Sequence, residues 1–96
     1  MCGILGQINI DKVTVNENSF KNALSTQKHR GPDRTSHYFN ENIALGHVRL
    51  SIIDIDGGHQ PLEIDDYVIV FNGEIYNYQL LKKNLIQDGV KFTSNS

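Results

Sequence analysis

The chain opens on a largely apolar run, Gly3 to Ile10 (GILGQINI), which predicts a buried strand with Cys2 at its start. Asp11 to Asn16 reads as a loop. From about Asn18 to Lys28, the residues Phe20, Ala23, Leu24 and Gln27 recur at helical spacing. Asn16 or Asn18 is available as N-cap, and His29-Arg30 falls in the final turn. Gly31-Pro32 should end this helix, because a residue before proline is pushed out of the helical region.

Ser36 to Phe39, the polar turn Asn40-Glu41-Asn42, and Ile43 to Val48 predict a hairpin with a three-residue loop. Arg49 to Ile53 should continue its second strand. Gly57 to Pro61 is loop, carrying both glycine and proline. Leu62 to Ile64, a turn at Asp65-Asp66, and Tyr67 to Phe71 predict a second hairpin. Its last strand is almost wholly apolar, so cover on both faces is expected. Asn72-Gly73-Glu74 breaks the pattern sharply. Tyr78, Leu81 and Leu85 then mark a helix with Gly89 as its C′ residue, and Val90 to Thr93 looks like the beginning of a strand. The order β, α, several antiparallel β, α points to an α+β layered fold.

Composition narrows the class. A chain of 96 residues with 39% apolar and 21% charged positions fits one soluble domain or part of one. A net charge of −2 offers no basic patch for nucleic acid or a membrane surface. No apolar run approaches the roughly 20 residues of a membrane span, and no secretory signal precedes Gly3. One cysteine cannot form an intrachain disulfide, so a cytoplasmic location is expected. A strand starting near Lys91 without a partner suggests truncation after Ser96.

Cys2 is the first candidate for chemistry. It is small enough for Met1 to be trimmed, after which one residue would carry both a thiol and a free α-amine. The thiolate is the reactive species, and a neutral amine beside it can take the proton. Second-position cysteines also arise by accident, so the neighbouring motifs decide the weight of this one.

Four segments stand out together: Met1-Cys2-Gly3-Ile4, His29-Arg30-Gly31-Pro32-Asp33, His47 to Asp54 (HVRLSIID), and Asn72-Gly73-Glu74-Ile75-Tyr76-Asn77. In this order and spacing they closely resemble the N-terminal part of the glutaminase domain of glutamine-hydrolysing asparagine synthetases. That domain is a class II glutamine amidotransferase and an N-terminal-nucleophile hydrolase. The resemblance covers nearly the whole chain and implies part of an α-β-β-α sandwich with antiparallel sheets. The His-Arg-Gly-Pro-Asp string favours this family over the glucosamine-phosphate and phosphoribosylamine amidotransferases.

The resemblance also implies roles. Cys2 would be the nucleophile, giving a γ-glutamyl thioester and ammonia from glutamine. Asn72 and Gly73 would form the oxyanion hole, although Asn-Gly is also an ordinary turn dipeptide. Arg49 matches the arginine that pairs with the substrate α-carboxylate, a task suited to the guanidinium fork. Leu50, Ser51, Ile52 and Ile53 correspond to a segment lining the glutamine pocket, partly through backbone groups. Glu74 matches an acid near the substrate ammonium, and equally suits a helix N-terminus. Ser96 would open a Ser-Asp-(Thr/Cys)-Glu motif whose aspartate completes the ammonium clamp, and the chain stops before it.

Other readings bound this one. The histidines His29, His37, His47 and His59 show no zinc-type spacing with Cys2, so no metal is expected. A Cys–His dyad would use one of them as base, but it explains neither Cys2 at the terminus nor Asn72-Gly73-Glu74. His47 and Arg49 share a strand face, which makes His47 a hydrogen-bonded neighbour of the site. Arg30 and Asp33 should pair and stiffen their loop. The resemblance places ATP, magnesium and aspartate with a C-terminal synthetase domain, of which no Ser-Gly-Gly-x-Asp-type loop is present here. It also leaves room for a homodimer of the full-length protein. Two alternatives stay open: the same glutaminase serving another ammonia acceptor, and an inactive fragment that only binds a partner. Taken alone, the 96 residues are expected to be inactive and to associate or stay partly molten.

Overall fold

The computed structural model describes residues 2–51 and 57–95. Strand β1 (Gly3–Ile8) leads into helix α1 (Glu17–Ser25), followed by β2 (Arg34–Asn40), β3 (Ile43–Arg49), β4 (Leu62–Ile64), β5 (Tyr67–Ile69) and helix α2 (Tyr78–Gln87). The architecture is α+β, as the pattern predicts. Strands β1, β3 and β2 form an antiparallel sheet in the order β1-β3-β2, and β4 pairs with β5 in a separate two-stranded sheet.

Register in the larger sheet explains which side chains are buried. Gly3 lies opposite Val48, Leu5 opposite Gly46, and Phe39 opposite Ala44. Residues facing one another across an antiparallel pair share a face. Val48, Ala44, Leu5 and Phe39 therefore meet Phe20 and Leu24 of α1, and with Val15 they make the core. The Phe20 and Phe39 rings pack edge to face with centroids 5.4 Å apart. The opposite face carries Ile4, Ile8, Ile43, Leu45, His47 and Arg49.

That geometry corrects the buried first strand. Among the described residues strand β1 pairs only with β3 and stands at the sheet edge, with Ile4 44% and Ile8 67% exposed. The strand also stops at Ile8, short of Ile10.

Helix α1 begins where Asn16 Oδ1 accepts the Ser19 N–H at 2.9 Å, so Asn16 is the cap. It ends before Lys28. Ser25 Oγ and Thr26 Oγ1 donate back to the Asn22 and Ala23 carbonyls, competing with helix continuation, and Lys28–Arg30 forms a separate 3-10 turn. The hairpin joining β2 to β3 turns on two residues, with Asn40 paired to Ile43 and Glu41 in the left-handed region at φ 52°. The expected three-residue loop is shorter by one because Asn40 joins the ladder.

The second hairpin is shorter than its apolar pattern. Strand β5 ends at Ile69, and Tyr67, Ile69 and Phe71 are exposed rather than covered on both faces. Helix α2 closes as expected on Gly89, whose φ of 91° only glycine adopts readily. The Gly89 and Val90 N–H groups bond to the Ile86 and Leu85 carbonyls, a Schellman closure. Residues 90–93 form no strand. Among the described residues none pairs with them, and apolar alternation alone does not make a strand without a ladder.

Candidate functional site

The site is built on the end of β3. The β1–β3 register, extended by one residue, brings Cys2 level with Arg49. The thiol then meets the next peptide: Leu50 N–H donates to Cys2 Sγ at 3.4 Å, and the S–H faces the Leu50 carbonyl at 3.7 Å. Cys2 is half-buried and free of any disulfide. The candidate nucleophile is thus fixed against backbone groups directly after the candidate carboxylate-binding arginine.

The His29 to Asp33 loop clips this corner together. Arg30 Nε donates to the Cys2 carbonyl at 3.2 Å. Asp33 N–H donates to the Arg49 carbonyl at 3.0 Å, and Asp33 Oδ2 accepts the Ser51 N–H at 2.7 Å. Between them Pro32 bridges to Arg49, and Gly31 lies flat on the β3 backbone. A Cβ on Gly31 would come within 2.3 Å of the Val48 carbonyl carbon and 2.4 Å of Arg49 N. The expected Arg30–Asp33 pair is therefore corrected. The two side chains reach different segments, Arg30 the Cys2 carbonyl and Asp33 the strand exit at Ser51. Sequence reasoning missed both anchors, since hydrogen bonds to backbone across 28 and 18 residues leave no local pattern.

Arg49 is buried, at 6% exposure, and its Nη1 lies 3.2 Å from His59 Nδ1. A guanidinium only donates, so His59 accepts through Nδ1. His47, two residues back on the same face, is 1% exposed. Burial is the main force holding its pKa below the usual histidine value; a hydrogen bond to the Phe71 backbone acts the other way, and the Arg49 charge reinforces burial. The ring is therefore kept neutral. Its Nε2 has no hydrogen-bond partner among the described residues. His47 shares the strand face of Arg49, two residues away.

Asn72, Gly73 and Glu74 lie in the exposed loop between Phe71 and α2. Among the described residues none of the three is hydrogen-bonded to Cys2. The segment is tied in through the residue before it: Gln60 Oε1 accepts the Phe71 N–H at 2.5 Å. The structure thus joins Cys2, Arg49, Leu50 and Ser51 in one corner, and among the described residues no hydrogen bond links Asn72, Gly73 or Glu74 to it. Ile52, Ile53 and Ser96 lie outside the described residues.

Among the described residues, no group of three or more His, Cys, Asp or Glu side chains is placed to hold a metal ion. No helix of the described residues is long and apolar enough to cross a membrane. A groove lined by Tyr78, Lys82, Ile86 and Asn95 runs along α2 and contains none of the candidate residues.

Comparison with known proteins adds an independent line. The family model of a glutamine amidotransferase domain matches residues 1–96. The chain is 40% identical to asparagine synthetase (glutamine-hydrolyzing) 1 of Bacillus subtilis, across 100% of this chain and 16% of that protein. It is 42% identical to asparagine synthetase (glutamine-hydrolyzing) of Zea mays, across 88% of this chain and 15% of that protein. It is 41% identical to asparagine synthetase B (glutamine-hydrolyzing) of Escherichia coli, across 85% of this chain and 15% of that protein. The chain thus spans about a sixth of the length of these relatives.

Proposed function

Because this chain belongs to the glutamine amidotransferase domain family, we propose that it carries the nucleophile and part of the substrate pocket of a glutaminase. The ammonia it releases serves the amidation of aspartate to asparagine in the full-length protein. The single observation that carries this reading is the seating of Cys2 Sγ on the Leu50 peptide, next to the buried Arg49. The names of the relatives, all asparagine synthetases that hydrolyse glutamine, support the acceptor.

In this reading Met1 is removed and the Cys2 α-amine takes the thiol proton. The thiolate attacks the side-chain amide carbon of glutamine, and the carbonyl oxygen becomes an oxyanion bound by Asn72 and the Gly73 N–H. The carbon–nitrogen bond breaks, the leaving nitrogen takes the proton from the amine, and ammonia departs. Water then attacks the γ-glutamyl thioester, releasing glutamate and returning the thiol. Arg49 holds the substrate α-carboxylate through its fork. Leu50, Ser51, Ile52 and Ile53 line the pocket, and Glu74 faces the substrate ammonium. Asp33 contributes indirectly by holding the Ser51 N–H. ATP and magnesium belong to a synthetase domain outside these residues, and a homodimer would form at the level of the full-length protein.

Cys2→Ala in the full-length protein tests the assignment. Glutamine hydrolysis should be abolished while asparagine formation from added free ammonia persists. Loss of both reactions would instead make Cys2 a structural residue.

A further inference from the structure

Asn72 and Gly73 make no hydrogen bond of their own among the described residues, yet oxyanion donors must be fixed before charge develops on the substrate. The segment Asn72-Gly73 is exposed, and its position is set from outside. Gln60, in the loop before β4, accepts the Phe71 N–H with its side-chain oxygen. The Phe71 ring then folds over Gly73: a Cβ there would stand 2.6 Å from the ring Cζ and 2.9 Å from Cε2. Phe71 is thus held at its N–H by Gln60 and covers the glycine two positions on.

We propose that Gln60 is a positioning residue for glutamine hydrolysis, acting through Phe71 to set the Asn72 and Gly73 oxyanion donors. The inference rests on the reading of Asn72 and Gly73 given above and deepens it. Gln60 does not touch the substrate. Its oxygen holds the Phe71 N–H, and the Phe71 ring limits where Gly73 can go. Groups that act only on the oxyanion change kcat, whereas groups that bind substrate and transition state equally change KM.

The test uses the full-length protein and steady-state glutamine kinetics for Asn72→Ala, Gln60→Leu, Gln60→Glu and the Asn72→Ala/Gln60→Leu double variant. Gln60→Leu removes the acceptor at similar volume and should lower kcat about tenfold or more, short of the roughly 100–1,000-fold loss of an entire donor. The glutamine KM and ammonia-dependent synthesis should stay near their original values. Gln60→Glu keeps an acceptor oxygen and should retain most of kcat. In the double variant the two losses should combine to less than their product, because both act on one donor set. If Gln60→Leu fails to fold, Gln60→Met makes the same comparison. A normal kcat in Gln60→Leu, an equal loss in Gln60→Glu, or full multiplication in the double variant would overturn the role of Gln60 while leaving Asn72 in place. A normal kcat in Asn72→Ala would overturn the oxyanion reading itself, and this proposal with it.

Discussion

The Cys2 thiol and the Leu50 peptide meet across the end of the β1–β3 pair, with Leu50 N–H pointing at Sγ from 3.4 Å. The contact depends on register: six paired residues from Gly3 to Ile8 carry the chain start to the β3 exit. A one-residue slip would turn every β1 side chain to the other face and move the thiol away from Leu50. The site is therefore a consequence of how the sheet is zipped. The Arg30 bond to the Cys2 carbonyl and the Asp33 bond to Ser51 lock the same corner from a third segment.

Arg49 tests the substrate clamp. Arg49→Lys keeps the charge but loses the planar fork and the contact with His59. In the full-length protein kcat/KM for glutamine should fall by the equivalent of about 2–5 kcal/mol, the range for truncating a buried charge pair. Unchanged glutamine kinetics would remove Arg49 from the pocket.

Gly31 tests the loop that clips the corner. Alanine there would place a Cβ within 2.5 Å of three backbone atoms of Val48 and Arg49, and backbone cannot yield as a flexible side chain can. Gly31→Ala should destabilise the protein by about 1–3 kcal/mol, as overpacking does. Thermal unfolding would show it as a lowered midpoint. An unchanged midpoint would mean that the loop does not lie on β3.

His47 predicts a pH dependence with a definite sign. Its folded pKa is lowered from the usual 6.5, chiefly by burial. Below about 6.5 the unfolded chain binds a proton on this ring that the folded chain resists, so stability is lost as pH falls. The loss levels off below the folded value. Urea unfolding across this window should show the slope, and His47→Gln should flatten it. An equal slope in both proteins would mean that His47 is not held neutral.

Much of this was legible in the sequence because it is local chemistry. Asn16 caps α1, Gly89 ends α2 in a conformation other residues avoid, and the polar Asn40 to Asn42 stretch marks a hairpin. Periodicity could not say what lies against an apolar strand, so the expected burial of Gly3 to Ile10 and of Tyr67 to Phe71 failed. It also mistook apolar content at Val90 to Thr93 for a ladder. In the site, motifs marked Cys2 and Arg49 as candidates, and the β1–β3 register that brings them level came only with the structure. The partners of Arg30, Asp33 and Gln60 were not legible either, because each bonds to backbone far along the chain, where any residue type would serve as the other half.

The central claim is that Cys2, freed of Met1, becomes covalently acylated by glutamine. Rapid acid quenching of the full-length protein with glutamine, followed by mass analysis of its N-terminal peptide, measures this directly. The peptide should begin at Cys2 and carry one γ-glutamyl group that hydroxylamine removes, as a thioester requires. A protein that hydrolyses glutamine while retaining Met1, or that carries the adduct on another residue, would contradict the account.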